Sequence, residues 1–347
     1  MRSALLNGLC SGQGDVRNQL AATLAQGFNP GTPSSPSLPT MKLADLIRLL
    51  SLAAIWGASF LFLRISAPVL GPLTTAFLRV LIGALTLAAC LAMMRVRWDM
   101  RGKWRQVMAL GVINSGIPFT MYAFAALWLP AGYSAVFNAM TPLMGVLIGA
   151  LCFSERLTLA KAGGVVLGVA GVAVLTRTGP VAFSPQVMLG AAACLVATAC
   201  YGLAGFLARR WITAQGGLDA RLVAVGSMVG ATLFLLPFSA VALMRENTLP
   251  AAGPGVWMAM LGVGMLCTAI AYILYYRLIA DLGPVRSLTV TFLIPPFGIL
   301  WGAIFLGEQL SWAHAGGGAL IGMAVWLVLQ KTSACTCCWS RSVQAPK

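Results

Sequence analysis

The chain has 347 residues, 59% of them hydrophobic and 9% charged, with a mean hydropathy of +0.87 and a formal net charge of +15. A water-soluble domain carries about 25% charged residues, so composition excludes one; apolar runs of about 20 residues exclude a transmembrane barrel, whose strands alternate over about 10. The basic residues are spread over short loops instead of gathered on one polar face, which reads as a topology signal and argues against nucleic-acid binding.

Residues 1–40 are polar, and the stretch FNPGTPSSPSLPT within them is rich in Pro and Ser. That composition reads as disordered. No uninterrupted apolar core precedes a cleavage site, so no cleavable signal peptide is expected. Met41 stands directly before KLADLIRLL. It reads as the start of translation, with the upstream residues a mis-assigned extension.

Ten apolar segments follow, at approximately 47–67, 74–94, 106–128, 132–152, 160–176, 186–208, 221–244, 256–279, 287–306 and 312–330. Each is near the length that crosses a hydrocarbon core of about 30 Å at about 1.5 Å per residue. Short connections such as LGPL, WLPAG and ADLGPVR join them. The remaining residues, 332–347, read as a disordered cytoplasmic tail. Cys335, Cys337 and Cys338 lie in it without the His or acidic partners and spacing of a metal site. Cys90, Cys152, Cys194, Cys200 and Cys267 lie in apolar segments and read as small hydrophobes.

With both termini cytoplasmic, one side gathers Arg95, Arg97, Arg101, Lys103 and Arg105, then Arg156 and Lys161, Arg209, Arg210 and Arg221, and Arg277 and Arg286. The opposite loops hold only Arg177 and Arg245. This is a positive-inside distribution.

The chain also repeats itself. TPLMGVLIGALCFSERL, from Thr141, returns as IPPFGILWGAIFLGEQL, from Ile294, at an offset of 153. The same offset pairs Gly111 with Gly264, Tyr122 with Tyr275, Pro142 with Pro295, Gly149 with Gly302 and Glu155 with Glu308. The first segment returns at an offset of 145: Trp56-Gly57 becomes Tyr201-Gly202, and Arg64 becomes Arg209. The domains are therefore two five-segment units, 41–177 and 186–331. Five is odd, so the second unit enters the membrane from the other face, and its basic loops alternate accordingly. The expected fold is all-α, with ten transmembrane helices as two inverted five-helix repeats, an architecture of secondary transporters.

Polar residues gather beside prolines within the spans. Asn114 flanks Pro118, Asn138 and Thr141 precede Pro142, and Thr291 precedes Pro295. Proline frees a carbonyl and bends a helix, so Pro118, Pro142 and Pro295 are candidate hinges. The polar faces beside them are candidate cavity walls, with helix–helix hydrogen bonding as the alternative. Trp56, Tyr122 and Tyr201 lie mid-helix, and together with Thr268 and Tyr272 they complete the expected substrate-binding set. Arg79 lies about five residues into the second segment, roughly 8 Å deep. It reads as an anion-binding or gating residue, against snorkelling or helix pairing. Glu155 and Glu308 end segments four and nine and read as structural caps of the helices that follow. No Asp or Glu lies deep in a span, and the single His314 stands at a helix entrance. Neither a metal site nor a cofactor is called for.

These motifs resemble a known family. Pro-x(12)-Glu followed by Gly-Gly, present twice, with Trp56-Gly57-Ala58-Ser59-Phe60 and Phe77-Leu78-Arg79, resembles the EamA-type domain of the drug/metabolite transporter superfamily. The resemblance covers about residues 47–330. It implies ten helices, both termini cytoplasmic, and carriage of small metabolites, often as export. The expectation is a multi-pass carrier of the cytoplasmic (inner) membrane, exporting an amino-acid-like or drug-like solute by alternating access. Its partners are a small molecule and the lipid bilayer, and a homodimer is compatible with it. A non-transporting scaffold or sensor, and an intramembrane enzyme, are the alternatives.

Overall fold

The computed structural model describes residues 43–155, 157–179, 181–246, 249–282, 287 and 289–329. The expectations for residues 1–40 and 332–347, the tail cysteines included, lie outside the described residues. Among the described residues every regular element is helical.

The first helix, α1, is Leu43–Leu70 and the second, α2, is Pro72–Met93. One residue separates them. Gly71 sits at φ 77°, a left-handed conformation open to glycine, and Pro72 starts α2 with its φ already set. Next, α3 comprises α-helical Trp104–Gly111, a π-helical turn Val112–Gly116 and α-helical Ile117–Ala125. The fourth segment is two helices, α4 (Ala131–Asn138) and α5 (Thr141–Cys152), bent by 44°. Pro142 has no N–H to offer the Asn138 carbonyl, and the Thr141 hydroxyl donates to it instead at 2.7 Å. The expected single span at 132–152 is thus broken at its middle.

Four helices have starts written in the local sequence. Thr158 accepts from the Lys161 N–H at the start of α6 (Leu159–Thr178), and Ser184 accepts from Val187 ahead of α7 (Pro185–Trp211). Asp219 accepts from the Arg221 N–H at 2.9 Å and caps α8 (Ala220–Glu246). The next helix, α9, opens on Pro254: α-helical Pro254–Leu261, π-helical Gly262–Ile270, then α-helical Ala271–Leu282. The last two are α10 (Val290–Leu306) and α11 (Trp312–Leu329).

Among the described residues, seven helices are long and apolar enough to cross a membrane, eight if the bent α4–α5 pair counts as one span. Val290–Leu306 and Trp312–Val328 are apolar but shorter. The chain is therefore a multi-pass membrane protein.

Helices pack across the chain. The main partnerships are α6 with α11, α1 with α10, α2 with α8, and α3 with α7. Glycines set the closest approaches. A Cβ on Gly57 would stand 2.9 Å from the Gly298 nitrogen, and one on Gly202 2.8 Å from the Gly145 nitrogen. On α6, a Cβ at Gly164 would meet the Ala324 carbonyl at 2.8 Å, while at Gly171 it would meet the Gly317 carbonyl at 2.9 Å. Advancing along α6 moves the contact backwards along α11, so these two helices run antiparallel. Small residues let the backbones meet where a membrane offers little hydrophobic drive.

Candidate substrate cavity

A cavity of about 450 Å³ lies among α1, α2, α3, the α4–α5 break and α7 to α10. This lies within the usual range of small-molecule pockets, about 300–1,000 Å³. Of the expected wall residues, Trp56, Asn114, Tyr122, Asn138 and Thr141 line it, as do Tyr201, Tyr272 and Thr291. Thr268 does not. It is 1% exposed and lies behind Arg79, whose Nε donates to its Oγ1 at 3.4 Å.

Local backbone irregularity puts several of these groups on the wall. Asn114 sits in the π-turn of α3, and Cys267, another wall residue, in the π-stretch of α9. A wider turn rotates side chains off the regular helical stripe, and such turns collect at functional sites. Pro118 directly follows the first π-turn, but its counterpart at an offset of 153 is Ala271. A proline is therefore not required for the widening. Pro295 stays inside α10 together with Pro296.

The aromatic wall is paired. Trp56 meets Tyr275 with ring centroids 5.2 Å apart, and Tyr122 stacks on Tyr201 at 6.3 Å. The Tyr122 hydroxyl donates to Asn138 Oδ1 at 3.1 Å, which orients the amide at the helix break. Arg79 is 5% exposed, with Cζ 3.6 Å above the Phe119 ring. Snorkelling is excluded, since the side chain turns into the cavity wall.

The cavity is lopsided. It reaches Ala208 near the end of α7 and Val223 near the start of α8, beside Arg209, Arg210 and Arg221. The residue equivalent to Ala208 in the first half is Leu63, which is 1% exposed. At that opposite end, Arg64 Nη1 donates to the Ala126 and Leu127 carbonyls at the end of α3.

The two glutamates have different partners. Glu308 does not serve the helix that follows it. Its Oε1 accepts from the Ala131 N–H at 2.8 Å and its Oε2 from Gly132 at 3.3 Å, capping α4. Glu155 lies 3.9 Å from Lys161. His314 packs edge-on against Tyr133 at 5.2 Å. Among the described residues no group of three or more His, Cys, Asp or Glu could hold a metal.

Sequence reasoning missed Phe60, Phe119, Ser227, Tyr275 and Tyr276 on the wall. Tyr275 was findable, because it repeats Tyr122 at an offset of 153. Phe119 carried the same signal, since it stands opposite Tyr272 of the expected set at that offset; only its place against Arg79 needed the crossing of α2 and α3.

The model of the EamA-like transporter family matches residues 45–177 and again residues 188–330. The chain belongs to this family. A relative named "Probable terminal-alkyne amino-acid exporter", from Streptantibioticus cattleyicolor, is 24% identical over 84% of this chain and 96% of its own length. An "Uncharacterized transporter" of Archaeoglobus fulgidus is 23% identical over 80% of this chain and 95% of its own. A solved crystal structure shares the fold at a TM-score of 0.55 and 22% identity, covering 82% of this chain and 96% of that one. This EamA-like protein is a membrane transporter of a small molecule.

Proposed function

We propose that this EamA-like transporter is a secondary carrier of the cytoplasmic membrane that exports a small amino-acid-like metabolite by alternating access. It has ten spans, counting α4–α5 as one, in two inverted units with both termini cytoplasmic. The observation that carries this reading is the cavity, whose walls come from both halves in matched pairs. Trp56–Tyr275 and Tyr201–Tyr122 are the same contact written twice, at offsets of 145 and 153. Gly57–Gly298 and Gly202–Gly145 repeat in the same way. Equivalent helices α6 and α11 packing antiparallel support a two-fold axis in the membrane plane, the geometry of inverted repeats.

Such a molecule has two equivalent ends, only one of which opens at a time. Leu63 buried against Ala208 lining the cavity supports a conformer open at the basic end, the cytoplasmic one by the positive-inside rule. Rocking one half against the other would exchange the two environments. The name of the Streptantibioticus relative supports an amino-acid-like cargo.

The test is flux. The purified chain in liposomes is offered amino acids, nucleosides and cationic drugs. Movement of a solute class that fails with Asn138→Ala or Tyr122→Ala supports the carrier. Chemical turnover without movement would favour an enzyme, and no flux at all a scaffold or sensor. Reporter fusions after residues 100 and 247 should report opposite faces of the membrane, and the same face would overturn the inverted arrangement.

A further inference from the structure

Among the described residues nothing neutralises the charge of Arg79. Among the described residues it makes no ion pair, and no Asp or Glu lines the cavity. A guanidinium has five N–H donors. The single hydrogen bond here is the long one from Nε to Thr268. Arg64, by contrast, is fixed on two carbonyls. A charged side chain at membrane depth is costly and is retained where a pathway or partner uses it.

The repeat shows that the fold does not require this charge. At the offset of 145, Gly57 and Gly202 coincide, and so do Ile82 and Ser227, which pack on the equivalent glycines Gly264 and Gly111. In that register Arg79 corresponds to Ala224, which lines the same cavity. The framework is thus built once with the cation and once without it.

We infer that Arg79 is the receptor for a carboxylate, so that the cargo is a small monocarboxylate with an apolar body. Phe119 covers one face of the guanidinium, which leaves its in-plane donors for a planar anion, the bidentate geometry that arginine and carboxylate share. One cation in an aromatic chamber suits one negative charge better than a phosphate dianion. The body of the cargo would lie against Trp56, Tyr122 and Tyr201. An ammonium finds no carboxylate here, only neutral side chains such as Asn114, Asn138 and Thr141 and the ring faces, so an amino group is accepted but not required. This inference rests on the cavity being the substrate site.

Binding tests it apart from transport. Trp56 lies in the wall, so cargo binding to the full chain in detergent should quench fluorescence, and Trp56→Phe should remove that signal. The probes are two matched quartets. Propargylglycine is compared with its carboxamide, with 4-pentynoic acid and with 3-butynylamine. Phenylalanine is compared with its carboxamide, with 3-phenylpropionic acid and with phenethylamine. In at least one quartet both carboxylates should bind at least about tenfold more tightly than the amide and the amine. Arg79→Gln should abolish the preference, and Arg79→Lys should keep part of it, since charge survives but the planar fork does not. Equal binding of amide or amine, no binding by any carboxylate, or an unchanged preference in Arg79→Gln would overturn the assignment. If Arg79→Gln fails to fold, the quartets on the parent chain decide alone. Solute flux without a carboxylate preference sinks only this inference, whereas no flux of any solute sinks the carrier reading itself.

Discussion

Replacing Glu308 by Gln should shift the transporter towards the conformer that is open at the other end. Glu308 belongs to the second half, yet its carboxylate holds the first two N–H groups of α4 in the first half. The amide keeps one acceptor oxygen, so one N–H loses its partner and the helix start loses a negative charge. A charge-assisted hydrogen bond contributes about 1.5–3 kcal/mol and the helix-end charge about 0.3–1, part of which Gln and water recover. A net loss of about 1–2 kcal/mol follows. If the contact exists only while that end is sealed, the sealed conformer loses about 5- to 30-fold in relative population. The assay is thiol labelling in a chain stripped of its nine native cysteines. Ala208→Cys, on the cavity, should label fast in the parent, while Leu63→Cys, its buried equivalent, should label slowly. Adding Glu308→Gln should accelerate Leu63→Cys and slow Ala208→Cys. A variant that melts earlier with both labelling rates unchanged would show Glu308 to be a static cap and refute the reasoning.

Gly202→Val should destabilise the folded protein by about 1–3 kcal/mol, read by unfolding in detergent, because the added carbons enter the Gly145 backbone. Gly205→Ala, where a Cβ meets nothing within 4 Å, should fold as well as the parent or better. Tyr122→Phe frees Asn138 from its 3.1 Å partner and should lower solute affinity by about 3- to 10-fold in equilibrium binding, with unfolding little changed. Asp219 titrates below the ordinary carboxylate range because the Arg221 side chain donates to it. Its contribution is therefore full above the unfolded carboxylate pKa of about 3.9 and is lost as pH falls through the lower folded value. The stability difference between the parent and Asp219→Asn should accordingly be present at pH 7 and vanish in acid, as measured by denaturant unfolding at several pH values.

The sequence alone determined that this is an all-helical membrane chain, because uninterrupted apolar runs bury their backbone polar groups only as helices. It also determined the repeat, since the glycines, prolines and glutamates that recur at offsets of 145 and 153 occupy positions where size or backbone geometry is constrained. Repeat and polarity together made most of the cavity wall legible: Asn138 beside a helix-breaking proline needs no neighbour to announce itself. Only the tertiary structure decided which helices meet. It put Phe119 under Arg79, moved Thr268 off the wall to a place behind the guanidinium, and sent Glu308 across to α4. Those outcomes depend on which backbone groups and charges lie within a few ångströms across the bundle. In a uniformly apolar sequence the local pattern carries no information about that.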